Sequence, residues 1–440
     1  MDIRSLVLYR NFQYQSLLET LCTVLEEKEI SSGLLYDCAN GLVEMAVKYG
    51  FEGNLCHCFL AFCLANNENA YSTACEIVGK TDGTLNDLML HDCAEFRELF
   101  LLSAAGEFRE KKDALSGDEK ENDAFRIFRD IVNYRASGRE SRVFNRRIRD
   151  RIVELAVSLD QAKDAGEFKE IVTAFYKEFG VGKFGLNKAF NVEELPGGKA
   201  DIEPITRIEH IYLRDLVGYE EQKKELVENT EAFLKGIPAN NVLLFGDAGT
   251  GKSSSVKAIV NEYYERGLRI IEVYKHQFKL LSDILEQVKD RNYKFIIYMD
   301  DLSFEESELE YKYLKAILEG GLGKRPGNVL IYATSNRRHL IRETFKDKQE
   351  EDEELHTRDT VQEKLSLSAR FGLNIYFGSP ERDEFRKIVK ALAERNGITM
   401  DEKELFDEAG RWELSHGGLS GRTASQFIIY LQGRQGIKAE

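Results

Sequence analysis

Proline is scarce in this sequence and unevenly placed. The chain of 440 residues has only five prolines, and none of them precedes Pro196. Proline interrupts helices because it lacks a backbone N–H and its ring clashes with the preceding turn. Apolar residues in the proline-free part recur every three or four positions, as in 17–25, 42–49 and 148–159. This spacing predicts an all-α N-terminal domain over residues 1–190.

Cysteine is absent from most of the chain. All seven cysteines lie between Cys22 and Cys93. We expect free thiols, because the number is odd and a helical core accommodates small buried cysteines. The stretch 56–58 (Cys-His-Cys), together with Cys63, has a weak likeness to a metal site. It lacks a separated second ligand pair, so buried core thiols are the favoured interpretation.

Long apolar runs and an excess of positive charge are also missing. No run in the sequence approaches the ~20 apolar residues that span a bilayer. Residues 1–4 do not begin a signal-peptide pattern. We therefore expect a cytoplasmic protein without a membrane partner. The net charge of −15 disfavours general adhesion to nucleic acid.

The segment 134–151 differs from the rest of the chain, because it is dense in arginine. Its arginines are Arg135, Arg139, Arg142, Arg146, Arg147, Arg149 and Arg151. A nucleic-acid-binding face is one interpretation of this segment. The other is a solvated helix face that pairs with nearby acids, which the acidic balance of the whole chain favours. The sequence leaves both interpretations open.

A glycine-rich stretch follows a short apolar run. Residues 242–245 are wholly apolar, and residues 246–253 read Gly-Asp-Ala-Gly-Thr-Gly-Lys-Ser. Such a loop turns backbone N–H groups toward phosphates, and the N-terminus of the following helix adds favourable electrostatics. We expect Lys252 to reach the β- and γ-phosphates and Ser253 to ligate Mg²⁺. The predicted contacts of a nucleoside triphosphate are Gly246, Asp247, Ala248, Gly249, Thr250, Gly251, Lys252, Ser253 and Ser254.

Further polar residues lie at the ends of other predicted elements. Asp300 and Asp301 directly follow the third predicted strand. We assign Asp300 to Mg²⁺, through water, and Asp301 to the activation of an attacking water. Asn336 follows another apolar strand, where its amide can position that water. Arg370 precedes the last strand, and Arg422 lies among C-terminal helices, where its guanidinium can fold back on the γ-phosphate.

Strands and helices alternate over the second half of the chain, which predicts an α/β fold with a parallel, doubly wound sheet. The Pro-Gly-Gly cluster at 196–198 is typical of a domain boundary, so we expect a linker over 191–212. The α/β core then spans 213–378, and a helical lid subdomain spans 379–440. An acidic insertion at 345–360 is predicted to be a solvated loop.

Residues 213–430 resemble the AAA+ ATPase superfamily. They carry Walker A, Walker B, sensor 1, arginine-finger and sensor 2 elements in the order of that superfamily. The stretches 240–253, 300–306 and 332–340 resemble more closely an uncharacterised bacterial family of predicted AAA+ ATPases. The resemblance implies a P-loop NTPase (AAA+) parallel sheet with a small helical lid, and Mg²⁺-dependent binding and hydrolysis of ATP.

The same resemblance implies a base pocket, an assembly and a partner. Val217 and Gly218 match the stretch that lines the adenine in that superfamily, which favours ATP over GTP. A homo-oligomer, a hexamer or another ring, is implied, in which Arg370 reaches the nucleotide site of a neighbouring subunit. Hydrolysis would be coupled to assembly and to remodelling of an unidentified protein partner. The alternatives are a slow-turnover, ATP-dependent binding switch and a nucleic-acid-associated loader or remodeller.

Two departures from the superfamily pattern matter. Walker B ends in Asp-Asp rather than Asp-Glu, and the shorter side chain leaves water activation open between Asp301, Glu305 and Glu306. After the second predicted strand, residues 274–278 lack the aromatic–hydrophobic–glycine tripeptide of polypeptide-threading members. This second departure disfavours an unfoldase.

Overall fold

The structure is a computed structural model whose chain divides into two compact units, Met1–Asn187 and Lys188–Glu440. It describes residues 3–26, 31–103, 126–127, 130–135, 145–205, 208–304, 308, 310–319, 326–337, 340 and 367–437. The predicted acidic insertion, the alternative bases Glu305 and Glu306, and the middle of the arginine segment (136–144) lie outside the described residues.

The first unit is built from helices around one apolar core. Its α-helices are α1 (Gln15–Glu26), α2 (Ser32–Tyr49), α3 (Leu55–Asn66), α4 (Ala70–Val78), α5 (Thr84–Leu102), α6 (Arg146–Asp160), α7 (Ala165–Phe179) and α8 (Gly182–Leu186). Helix α3 is central, because every residue from Leu55 to Ala65 is buried. All seven cysteines are buried free thiols in this unit. The predicted all-α N-terminal region is confirmed.

The second unit contains a seven-stranded sheet in the order β2-β1-β4-β5-β6-β3-β7. Its strands are β1 (Ala189–Glu194), β2 (Ala200–Pro204), β3 (Val242–Gly246), β4 (Leu268–Glu272), β5 (Lys294–Met299), β6 (Val329–Ser335) and β7 (Leu373–Phe377). Every neighbouring pair is parallel except β1 and β2, which are antiparallel. The strands β3, β5 and β6 are almost entirely buried, as expected for a parallel sheet with helices on its faces.

The helices of the second unit belong to two groups. They are α9 (Glu220–Leu234), α10 (Lys252–Tyr263), α11 (Leu281–Val288), α12 (Glu310–Glu319), α13 (Arg382–Arg395), α14 (Glu402–Ser415) and α15 (Gly421–Gln435). Helix α10 packs Val256 and Ile259 into the core of the sheet. Helices α13 to α15 enclose a separate small core that includes Phe385, Leu405 and Phe427. The predicted parallel α/β sheet with a small helical lid is confirmed.

The predicted linker over 191–212 is wrong for its first part, which forms the β1–β2 hairpin at one edge of the sheet. Val192 pairs with Ile202 across the hairpin, and these two side chains are 3% and 0% exposed. The Pro-Gly-Gly cluster is the hairpin turn, where Gly197 and Gly198 have φ of 105° and 76°. A tight turn and a flexible linker use the same residue types, so the cluster alone did not distinguish them.

Among the described residues, no helix combines the length and the apolar character that crossing a membrane requires.

Candidate functional site

A cleft of about 580 Å³ lies at the carboxyl ends of β3, β5 and β6. It is lined by the loop after β3 and by the first turn of α10. Residues that directly follow β5 and residues at the end of β6 also line it. Side chains from α13 and α15 and from the segment 215–219 complete the lining. Open parallel sheets bind ligands at this edge, so the cleft is the candidate functional site.

The loop between β3 and α10 depends on glycine at its first position. Gly246 has φ of 135°, a conformation that residues with side chains rarely adopt. A Cβ atom added there would lie 2.1 Å from the carbonyl oxygen of Phe377. The close approach arises because Gly246 pairs with Phe377 in the neighbouring strand β7. The loop can therefore turn sharply against the sheet only with glycine at this position.

Lys252 begins α10 and extends back into the loop. Its Nζ donates to the carbonyl oxygens of Gly246, at 3.1 Å, and Asp247, at 2.6 Å. The residue is only 6% exposed. Burial lowers the pKa of Lys252 below its usual value, although three nearby carboxylates act in the opposite direction. The ammonium group is thus held at the inner side of the loop.

The carboxylate of Asp300 accepts three hydroxyl hydrogen bonds at one oxygen, Oδ1. The donors are Ser253 Oγ at 2.7 Å, Tyr298 OH at 2.7 Å and Thr334 Oγ1 at 2.5 Å. Burial by itself raises the pKa of Asp300, but these three hydrogen bonds, together with one from the backbone of Asp301, outweigh it and leave the pKa below its ordinary value. The predicted metal pair, Ser253 and Asp300, is therefore adjacent. A hydroxyl and an ionised carboxylate are the oxygen ligands that Mg²⁺ prefers, so the pair fits this ion.

Asp301 is held beside Asp300 by two contacts. Its backbone N–H donates to Thr334 Oγ1 at 2.9 Å, and Asn336 Nδ2 donates to its Oδ1 at 2.8 Å. Its φ of 49° is uncommon for a residue with a side chain, and such strained positions cluster at functional sites. The predicted base and the predicted water-positioning amide are thus in direct contact.

The other end of the cleft has apolar walls. Val217 and, from α13, Ile388 and Leu392 line the cleft. Lys223 Nζ donates to the carbonyl oxygen of Leu216 at 2.8 Å. Apolar walls with a small number of polar groups suit a planar base.

Some predicted nucleotide contacts do not line the cleft among the residues that the structure describes. These are Gly218, Gly246 and Asp247, whereas residues 248–254 do line it. The Asp247 side chain instead accepts hydrogen bonds from Ser379 N at 2.8 Å and Ser379 Oγ at 2.9 Å. Asp247 therefore connects the loop to the segment that leads into α13.

The two predicted arginines have different surroundings. Arg422 lines the cleft, and its backbone N–H donates to the carbonyl oxygen of Gly249 at 3.1 Å. Arg370 does not line the described part of the cleft, and it forms an ion pair with Glu319 at the end of α12.

Several residues that line the cleft or contact its lining were not predicted from the sequence. Tyr298 lies two positions before Asp300, and alternate residues of a strand share a face, so the strand pattern contained a signal for it. Thr334 lies two positions before Asn336 at the end of β6. Ile388 and Leu392 belong to α13, and their place in the cleft depends on tertiary packing alone.

Comparisons with known proteins give a family and distant relatives. The family model described as "Protein of unknown function (DUF815)" matches residues 186–435. A stretch of 73 residues is 40% identical to the replication factor C large subunit of Staphylothermus marinus and covers 16% of this chain. A stretch of 190 residues is 24% identical to proteasome-activating nucleotidase 1 of Haloferax volcanii and covers 36% of this chain. The chain spans 16% and 46% of the lengths of these two curated proteins.

One similar solved structure is the FIGL-1 AAA domain in complex with ADP. It is 21% identical, with a TM-score of 0.36, and the alignment covers 52% of this chain and 74% of that one.

Proposed function

The chain belongs to the DUF815 family, for which no function is described, and from this premise we propose that its second unit binds ATP with Mg²⁺ and hydrolyses it. One arrangement in the cleft carries this proposal: Lys252, Ser253 and Asp300 converge at the first turn of α10. A buried ammonium, a hydroxyl and an ionised carboxylate beside a glycine-rich loop are the groups that P-loop NTPases use around the β- and γ-phosphates.

The loop and Lys252 would hold the phosphates. The ammonium of Lys252 now has two carbonyl oxygens as partners, and phosphate oxygens would replace them as stronger, charged acceptors. The N-terminus of α10 would add N–H groups and a favourable dipole. These interactions would bind the triphosphate in one orientation.

Ser253 and Asp300 would hold Mg²⁺, the serine directly and the aspartate through water. When bound, the ion would neutralise charge that develops on the phosphates. The three hydroxyl contacts to Asp300 keep this carboxylate ionised and fixed before nucleotide arrives.

Asp301 would orient the attacking water and accept its proton. Asn336 donates to Oδ1 of Asp301, which leaves Oδ2 as the proton acceptor. The reaction would be an in-line attack of water on the γ-phosphorus, with the guanidinium of Arg422 near the transferred group. Catalysis would then be mostly positioning and charge stabilisation.

The nucleotide base would lie between the apolar walls at the other end of the cleft. Val217, Ile388 and Leu392 line this part. The match of 216–219 to the adenine-lining stretch of AAA+ proteins supports ATP over GTP. Apolar burial of the base would supply affinity, and the backbone of this segment would supply selectivity.

We further propose that the chain works as a ring-shaped homo-oligomer. Arg370 lies outside its own cleft lining, as an arginine that serves a neighbouring subunit would. The helical first unit would engage a protein partner whose identity the fold does not encode. A slow-turnover binding switch is the second candidate, and the short side chain of Asp301 favours it.

Steady-state release of phosphate by the purified chain tests the proposal. We expect release from ATP that requires Mg²⁺, with GTP as the poorer substrate. Tight binding of ATP without turnover would favour the switch. A chain that neither binds nor hydrolyses ATP would contradict both candidates.

A further inference from the structure

Two buried hydroxyl groups contact Asp300 from within the sheet. Tyr298 and Thr334 are 3% and 2% exposed, and they lie near the carboxyl ends of β5 and β6. A buried hydroxyl requires a hydrogen-bond partner, and both of these use the same carboxylate oxygen, Asp300 Oδ1. Two buried positions of the sheet thus carry hydroxyl groups that bind one exposed carboxylate.

The register of the strands explains why these groups meet. Tyr298 of β5 pairs with Tyr332 of β6. Because alternate residues share a face, Asp300 lies on the face of Tyr298, and Thr334 lies on the face of Tyr332. Tyr298 and Tyr332 belong to the core that α10 covers. The first turn of this helix brings Ser253 to the same oxygen.

The direction of each hydrogen bond is determined. Thr334 Oγ1 accepts the backbone N–H of Asp301, so its own hydrogen is available for Asp300. The Tyr298 hydroxyl lies 2.7 Å from Asp300 Oδ1, and a carboxylate oxygen can only accept, so the hydroxyl is the donor. All three hydroxyls therefore donate to Asp300 Oδ1.

We propose that Tyr298 and Thr334 are positioning residues that fix Asp300 in the orientation in which it would hold Mg²⁺. Thr334 has a second role, because its hydroxyl also fixes the backbone of Asp301. It therefore links the metal-holding carboxylate to the water-activating one. This inference rests on the proposed function, and it assigns to two core residues a part in the metal dependence of nucleotide binding.

A purely structural role for Tyr298 makes a different prediction. If its hydroxyl only filled the core, its loss would lower stability and leave the dependence of nucleotide affinity on Mg²⁺ unchanged. The matched control is Tyr332, a fully buried neighbour on the same face. Its hydroxyl contacts Thr230 at 2.8 Å and Asn229 at 3.2 Å, away from Asp300.

The experiment is an equilibrium titration of the full chain with a fluorescent ATP analogue, once with excess Mg²⁺ and once with EDTA. The ratio of the two affinities measures the contribution of the metal. We expect Tyr298→Phe to reduce this ratio about 10-fold, the lower end of the usual effect of outer-shell partners on metal affinity. Affinity in EDTA stays unchanged, and Tyr332→Phe keeps the wild-type ratio.

Thr334 provides an independent variant pair. Thr334→Val keeps the shape and removes the hydroxyl, so it should lower the ratio and also slow hydrolysis more than Tyr298→Phe does. Thr334→Ser keeps the hydroxyl and should retain both the wild-type affinity ratio and the wild-type rate of hydrolysis. Slower hydrolysis with an unchanged ratio in Thr334→Val would overturn the metal-positioning role.

The failure of this inference is distinguishable from the failure of the proposed function. A wild-type chain that gains no affinity from Mg²⁺ would overturn the proposed function. If Mg²⁺ raises the affinity of wild type and of Tyr298→Phe by the same factor, the inference is overturned and the proposed function stands. An equal reduction of the affinity ratio in Tyr332→Phe would also overturn the inference, because the loss of any buried hydroxyl would then have the same effect.

Discussion

At the scale of single residues, Asp301 is the most informative position. Its φ of 49° and its contacts with Thr334 and Asn336 hold the carboxylate at the end of β5. An aspartate is one methylene shorter than the glutamate that AAA+ proteins usually have here. The αL backbone and the amide of Asn336 fix where this shorter side chain lies.

Asp301→Asn should bind ATP and Mg²⁺ almost normally and hydrolyse ATP poorly. The change removes the proton acceptor and keeps Lys252, Ser253 and Asp300 in place. The expected loss in the hydrolysis rate is about 10²–10⁴-fold, the usual contribution of a general base. Single-turnover hydrolysis and equilibrium binding, measured side by side, check this. If hydrolysis is unimpaired, the base lies elsewhere, and Glu305→Gln and Glu306→Gln become the next variants.

At the scale of elements, the β1–β2 hairpin extends the sheet beyond β4. Strand β1 pairs in parallel with β4, so the backbone of β4 is not an open edge. Unpaired edges invite association with other strands, and the hairpin removes that hazard for β4. The α/β module therefore begins at the hairpin, in agreement with the family match from residue 186.

Ile202→Ala in this hairpin should destabilise the sheet by about 2–5 kcal/mol, the usual cost of truncating a buried isoleucine. Glu193→Ala, at an exposed position of the same hairpin, should change stability by no more than about 0.5 kcal/mol. Native-state hydrogen exchange of the β5 amides reports the opening of this unit alone. An Ile202→Ala chain with wild-type protection would mean that the hairpin contributes nothing to the sheet.

The elements also show what the sequence could predict. The phosphate loop was predictable because its chemistry lies in eight consecutive residues, Gly246 to Ser253. The hairpin was missed because a turn and a linker share the same Pro-Gly-Gly composition. The contact of Thr334 with Asp300 depends on the register between β5 and β6, which spacing along one strand does not give. The apolar walls from α13 depend on how a distant helix packs.

At the scale of the whole molecule, assembly is the main expectation beyond the single chain. Arg370 forms an ion pair with Glu319 within one chain. In an assembly, the same guanidinium would face the γ-phosphate bound by the next subunit.

Arg370→Ala should bind ATP normally and hydrolyse it slowly, because an arginine finger contributes about 10³–10⁵-fold in rate. Adding Lys252→Ala subunits, which lack nucleotide but keep Arg370, should restore part of the activity. The matched control is Arg386→Ala, an exposed arginine of α13 that pairs with Asp383, and it should hydrolyse ATP at the wild-type rate. Co-assembled subunits that restore nothing would exclude action of Arg370 in trans.

The central claim is that ATP binds in the cleft through the phosphate loop. The most direct measurement is the equilibrium affinity for ATP with Mg²⁺ of wild type, Lys252→Ala and Lys257→Ala. Lys257 lies on the same helix, and its Nζ pairs with Glu209 at 2.9 Å, so it controls for loss of a lysine from α10. The account predicts that Lys252→Ala abolishes binding and Lys257→Ala retains it. Wild-type affinity in Lys252→Ala would contradict the account.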